Sequence, residues 1–155
     1  GQEEGRRAGT SNVPGIVGFV AAAEEACGQL DQFAELAELR DHLADLLRAY
    51  APDLVVFSED EDRLPNTLCC AAMGFAAETQ VMALDLAGFA ISSGSACGSG
   101  KVKASHVLTA MGVGPELARC AIRISLGWLS TKAEVEQFAV QWGEAYGRSH
   151  VREVA

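Results

Sequence analysis

The sequence predicts a small α+β domain in which helices pack over an antiparallel or mixed sheet. Apolar residues recur at steps of three and four from Val13 to Leu47, which is typical of a long amphipathic helix. By contrast, Cys120 to Leu126 alternates between apolar and polar residues, as a half-buried strand does. With 155 residues and 49% hydrophobic composition, the chain can bury the core of one domain.

The long helix is expected to begin after Ser11 or Asn12, since either side chain can cap it. A bend is expected near Gly28, and the helix should end around Tyr50 because Pro52 disfavours helical backbone at the residue before it. The charged residues of this segment are interpreted as a solvated face.

The remaining elements follow from shorter patterns. We predict strands at 54–57, 67–73, 89–91 and 120–126, helices at 78–86 and 105–111, and a helical turn at 115–118. In the last strand, Ile122, Ile124 and Leu126 share one face, and Arg123 and Ser125 share the other. A final helix, capped by Ser130 or Thr131, is predicted to run to about Tyr146 and to precede a frayed tail.

The segment from Ser92 to Gly100 consists only of small residues, which predicts an exposed and mobile loop around one thiol, Cys97. A buried cysteine is the ordinary alternative for any single cysteine. A phosphate-binding P-loop is disfavoured, because Gly94 is one residue too far from Gly100 and Val102 stands where that motif needs a hydroxyl.

The other cysteines lie in apolar segments and are predicted to be buried: Cys27, Cys69, Cys70 and Cys120. With Cys97, the chain has five cysteines; they form no CxxC pair, which argues against structural zinc, and their odd total fits a reducing cytoplasm. A net charge of −9 disfavours nucleic acid or an anionic membrane as a partner, and no apolar run is long enough for a membrane span.

Five short motifs occur in an order and spacing that resembles the C-terminal part of the cysteine desulfurases, pyridoxal-phosphate enzymes of the class-V aminotransferase type. The motifs are Gly5–Thr10, Leu64–Asn66, Ser92–Cys97, Ser105–Leu108 and Ile122–Gly127. The resemblance covers essentially the whole chain. It implies the small domain of a fold-type I enzyme over 13–147, with the cysteine loop at 92–104. Residues 1–12 would then be an interdomain loop at the cofactor's edge, and 148–155 a tail.

The resemblance also implies roles for individual residues. Cys97 would be the nucleophile that takes sulfur from L-cysteine as a persulfide. Arg123 would bind the substrate carboxylate, for which a planar fork of donors suits better than lysine. Asn66 would belong to the substrate-binding set, although beside Pro65 it is better suited to shape a turn. Thr10 would contact the cofactor phosphate across a homodimer interface.

Two further expectations follow from the resemblance. The Schiff-base lysine would lie in a large domain preceding this chain, because Lys101, Lys103 and Lys132 match no such motif. The chain alone would then be inactive, whereas the full enzyme would pass sulfur to an acceptor or iron–sulfur scaffold protein.

Three alternatives stay open from the sequence. The chain could belong to a selenocysteine lyase, or it could be a non-catalytic domain that docks a sulfur acceptor or dimerises. A Cys97–His106 dyad is also conceivable, although a mobile loop would not keep the pair in register.

Overall fold

The computed structural model describes residues 2–5, 9–94 and 105–151. The chain divides into two compact units, Gly1–Gln32 and Phe33–Ala155. No helix within the described residues is long and apolar enough to cross a membrane.

The first unit contains a 3-10 helix, Gln2–Gly5, and the helix α1, Val13–Gly28. The Asn12 side chain caps α1 by accepting a hydrogen bond from the Gly15 amide at 3.2 Å, as the sequence predicts. None of the residues of α1 is buried. The prediction that Cys27 is buried is therefore wrong: its apolar neighbours form a helix that is not covered within this unit.

The predicted long helix is interrupted at Gln29. Its amide donates to Ala26 O at 3.2 Å, and its φ of −114° lies outside the helical range, so a second helix, α2, begins at Leu30 and ends at Tyr50. The bend predicted near Gly28 is thus a break one residue later. Helix α2 buries the apolar residues Leu36, Leu43, Ala44 and Leu47.

Within the residues that the structure describes, the sheet has four antiparallel strands in the order β1-β2-β4-β3. The strands are β1 Val55–Val56, β2 Thr67–Ala71, β3 Ser92–Ser93 and β4 Ala121–Ser125. The predicted strand at 89–91 is wrong, because the strand lies at Ser92–Ser93. The Phe89 amide instead donates to Leu84 O at 2.9 Å, closing the end of a helix, and is not free to join the sheet.

Helices α3, Ala77–Leu86, and α6, Lys132–Val151, join α2 on one face of the sheet. The core on this face includes Leu68, Cys70, Ile122 and Ile124 from the strands and Phe138 and Trp142 from α6. Helix α6 is capped by Thr131, whose Oγ1 accepts from the Glu134 amide at 3.3 Å. It runs to Val151, past the predicted end at Tyr146 and into the segment predicted as a tail.

The opposite face of the sheet is only half covered. Two short helices, α4 His106–Ala110 and α5 Pro115–Arg119, bury Ala71 and Ala121 beneath Leu108 and Ala118. Further along β4 on the same face, Arg123 and Ser125 are exposed, as the alternating pattern predicts. The uncovered half of this face contains the candidate site.

The buried side chain of Gln80 forms hydrogen bonds with three separate parts of the fold. Gln80 on α3 donates from Nε2 to Phe75 O at 2.7 Å and to Cys120 O at 2.9 Å, and its Oε1 accepts from Trp142 Nε1 at 2.9 Å. Gln80 and Trp142 are both fully buried, so no solvent can replace these bonds.

We expect Gln80→Leu to lower the free energy of unfolding by about 2–4 kcal/mol, because it leaves three buried polar groups unpaired in a space of similar volume. Urea denaturation followed by circular dichroism measures the change. Gln137→Leu on the exposed surface of α6 is the matched control and should change stability by less than about 0.5 kcal/mol. Equal effects of the two variants would contradict the assigned role of Gln80.

Candidate functional site

Arg123 lies at the centre of the uncovered half of the sheet. The strand register places Cys69 of β2 and Ser92 of β3 directly opposite it on either side. Residues that face each other in antiparallel strands project from the same side of the sheet, so the three side chains are neighbours. Arg123 Nη2 lies 3.5 Å from Ser92 Oγ, and the guanidinium is exposed and therefore accessible to a ligand.

These three residues line a pocket of about 500 Å³. Gly94 and Ser105, the described residues on either side of 95–104, line the same pocket. The predicted nucleophile Cys97 lies outside the described residues. Both attachment points of the segment that carries Cys97 are therefore at the Arg123 pocket.

Ser105 is fixed where the chain enters α4. Its Oγ accepts from the Leu108 amide at 3.4 Å, and its carbonyl accepts from Thr109 Oγ1 at 3.0 Å. His106, the first residue of α4, is exposed and also lines the pocket. The sequence leaves a Cys97–His106 dyad open but disfavours it, and the described residues do not test it.

Burial makes three of the other thiols poor nucleophiles. It raises the pKa of Cys70 to about 12 and also raises the pKa of Cys120; both residues are buried, as predicted. Cys69 is half-buried, not buried as predicted; desolvation raises its pKa, and the charge of Arg123 opposes that shift. Because the thiolate is the reactive form of cysteine, none of these three is activated for attack.

Asn66 joins the beginning of β2 to the end of β4. Its Nδ2 donates to Leu126 O at 3.0 Å, and its carbonyl accepts from the Leu126 amide at 2.8 Å. Its Oδ1 accepts from Thr67 Oγ1 at 3.1 Å. These bonds are of the turn-shaping kind expected from the residue type, and the predicted contact of Asn66 with substrate stays a prediction.

The turn that contains Asn66 is held by a buried arginine that the sequence analysis missed. Arg40 on α2 donates from Nη1 to Leu64 O at 2.9 Å, and from Nε and Nη2 to the two oxygens of Asp41 at 2.8 and 3.0 Å. Arg63 approaches Asp41 from a second direction, with 3.2 Å between Nη2 and Oδ1. The hydrogen bonds from Arg40 hold the pKa of Asp41 below its usual value. Arg40 therefore does not belong to the predicted solvated face.

Thr10 lies in the first unit, two residues before the cap of α1, and is exposed. Its predicted contact with a cofactor phosphate stays a prediction.

The described residues do not form a covalent site for pyridoxal phosphate. Of the three lysines, only Lys132 is among the described residues. It is largely exposed at the start of α6, with 3.9 Å between its Nζ and Glu136 Oε1. It does not line the Arg123 pocket. A Schiff base to the cofactor needs a lysine beside the bound substrate. The described residues also contain no group of three or more His, Cys, Asp or Glu side chains that could hold a metal ion.

Comparison with protein families matches residues 1–138 to the model described as aminotransferase class-V. Among curated proteins, a cysteine desulfurase from Cereibacter sphaeroides is 45% identical over 136 residues, covering 88% of this chain and 35% of that protein. The cysteine desulfurase of Gluconacetobacter diazotrophicus is 43% identical over 137 residues, covering 88% of this chain and 34% of that protein. The chain thus spans about a third of the length of these relatives.

Among solved structures, the X-ray structure of a NifS-like protein from Rickettsia africae matches with a TM-score of 0.82 and 34% identity. The match covers 95% of this chain and 38% of that one. A second solved NifS-like protein matches with a TM-score of 0.80 and 35% identity, over 95% of this chain and 37% of the other. These comparisons confirm the resemblance stated from the five sequence motifs and the predicted α+β fold.

Proposed function

The chain belongs to the class-V aminotransferase family, and we propose that it is the part of a cysteine desulfurase that anchors the substrate carboxylate and supplies the sulfur-accepting thiol. The parent protein would convert L-cysteine to L-alanine in the cytoplasm. It would work as a homodimer and pass its sulfur to an acceptor or iron–sulfur scaffold protein.

The observation that carries this proposal is the pocket shared by Arg123, Gly94 and Ser105. Cys97 follows Gly94 by three residues, so the length of the covalent chain alone keeps the two Cα atoms within about 11 Å. A carboxylate held by Arg123 would place the rest of a small amino acid in the pocket that Gly94 and Ser105 line. Nucleophile and carboxylate anchor therefore belong to one site in this proposal.

Arg123 would hold the substrate through two parallel N–H···O bonds to its carboxylate. Ser92 and Cys69 flank the guanidinium on the neighbouring strands, which limits the directions in which it can swing. The Cys97 thiolate would attack the substrate sulfur, forming an S–S bond as the substrate's C–S bond breaks. The electron pair of that bond stays on carbon, which takes up a proton to become the methyl group of alanine.

The class-V family is pyridoxal-phosphate-dependent, and we assign the Schiff-base lysine of the parent protein to a region outside this chain. In that arrangement Thr10 would contribute to the cofactor phosphate from the partner subunit. The 155-residue chain alone would bind the cofactor weakly or not at all and would not turn over L-cysteine.

The test compares the 155-residue chain with the full-length parent protein, each incubated with pyridoxal phosphate and L-cysteine. We expect L-alanine and protein-bound persulfide only from the full-length protein, and no borohydride-trapped lysine in the chain alone. A full-length protein that forms no alanine would overturn the proposed function. A trapped aldimine on one specific lysine of the chain would overturn the assignment of the cofactor site. Higher turnover of L-selenocysteine than of L-cysteine would favour a selenocysteine lyase.

A non-catalytic role, in which the chain docks a sulfur acceptor or dimerises, is the second candidate that the sequence leaves open. In that case the chain would bind a scaffold protein, and the full-length protein would release no alanine. Pull-down with a purified scaffold protein, combined with the assay above, separates the two functions.

A further inference from the structure

We propose that Arg40 is a positioning residue for the substrate site: it holds the Leu64–Asn66 turn, and through it the end of β4 beyond Arg123. This inference rests on the proposed function and assigns one more residue to it. Arg40 does not touch the pocket and would act only through the turn.

Arg40 itself is held in one orientation. The residue is buried, and all three of its guanidinium nitrogens are engaged, two with Asp41 and one with Leu64 O. Asp41 is held in turn by Arg63. An arginine that donates two parallel hydrogen bonds from one edge to a carboxylate has one orientation, so its third nitrogen is a fixed donor.

The third nitrogen of Arg40 holds the backbone of the turn at Leu64 O. Leu64 O accepts from Arg40 and also from the Thr67 amide at 3.4 Å, so the carbonyl is the anchor of the turn that leads into β2. Asn66 lies inside this turn and bonds Leu126 through both its carbonyl and its side-chain amide.

The turn is bonded to the end of the strand that contains Arg123. The Asn66–Leu126 bonds close the β2–β4 ladder one residue beyond the Thr67–Ser125 pair. Arg123 lies three residues before Leu126 on β4. Releasing the turn would free the end of the strand that carries the carboxylate anchor, and would release Asn66 as well. The expected effect is on substrate binding, since no reacting group is removed.

The first measurement uses hydrogen exchange by NMR on the 155-residue chain. In Arg40→Met we expect the Leu126 amide proton to exchange at least about tenfold faster. The chemical shift of the Asn66 side-chain amide proton should move to that of an amide without a hydrogen bond. The Phe89 amide, bonded to Leu84 O away from the turn, is the internal reference and should be unchanged. Arg48→Met removes another paired arginine of α2 and should leave Leu126 protected.

The second measurement is steady-state kinetics on the full-length protein. We expect Arg40→Met to raise KM for L-cysteine at least about threefold with kcat within twofold, and Arg48→Met to change neither. Because Arg40 is buried, Arg40→Met could disturb folding, and Arg40→Lys is therefore the second variant. Lysine keeps the positive charge but not the planar fork, so the increases in the Leu126 exchange rate and in KM should both be smaller.

Unchanged exchange at Leu126 in Arg40→Met and Arg40→Lys would overturn the proposal. Faster exchange with an unchanged KM would also overturn it, since Arg40 would then be only a structural residue. A wild-type protein without cysteine turnover would overturn the proposed function and, with it, the substrate role of Arg40.

Discussion

Replacement of Cys97 by serine in the full-length protein is expected to lower the formation of L-alanine from L-cysteine at least about 10⁴-fold. Removing a covalent nucleophile has effects of this order in other enzymes, because the remaining groups cannot supply the missing bond. Serine keeps nearly the same size, so the change removes only the sulfur. The measurement is alanine release together with transfer of labelled sulfur to the protein.

The matched control is Cys27→Ser, which changes an exposed cysteine in the first unit. It should leave alanine formation within about twofold of the wild type. If Cys97→Ser retained more than a few per cent of the activity, Cys97 would not be the sulfur acceptor.

Arg123→Ala is expected to lower kcat/KM for L-cysteine by about 10²–10⁴-fold. Two charge-assisted hydrogen bonds to a carboxylate contribute about 1.5–3 kcal/mol each, and alanine removes both. Arg123→Lys keeps the charge but loses the fork, so it should recover part of this loss. The measurement is steady-state kinetics with L-cysteine in the full-length protein.

Arg119→Ala serves as the control for Arg123, because it removes an exposed arginine at the end of α5, outside the residues that line the pocket. Its kcat/KM should stay within about twofold of the wild type. A fall of similar size in both variants would indicate a general charge effect and would contradict a specific carboxylate site at Arg123.

The predicted parts of the fold are those that depend on local pattern. Alternation along β4 places Ile122 and Ile124 in the core and Arg123 on the open face, because side chains alternate across a strand whatever its neighbours are. The third strand could not be located in this way. The apolar run at 89–91 resembles a strand, but whether the Phe89 amide bonds a sheet or a helix end depends on where α3 ends.

Cys27 shows a second limit of local pattern. Periodicity identifies the apolar face of a helix, but it does not say whether another surface covers that face. In α1 none of the residues is buried, although the apolar spacing continues from α1 into α2.

The candidate site was predictable only in part. Arg123 and the cysteine segment stand in motifs that can be recognised in the sequence, and the register brings Cys69 and Ser92 beside Arg123. Arg40 could not be found, because its partner Leu64 O is a backbone atom 24 residues away. An arginine among other charged residues of a helix gives no sign in the sequence that it is buried.

Both outer strands of the sheet, β1 and β3, are only two residues long. An edge strand of two residues offers few free N–H and C=O groups to an incoming strand. Short edge strands therefore protect a protein against intermolecular β-pairing and amyloid-like growth. When copies of the protein or other proteins associate with the described part of the sheet, side chains rather than shared strands should therefore form the contact.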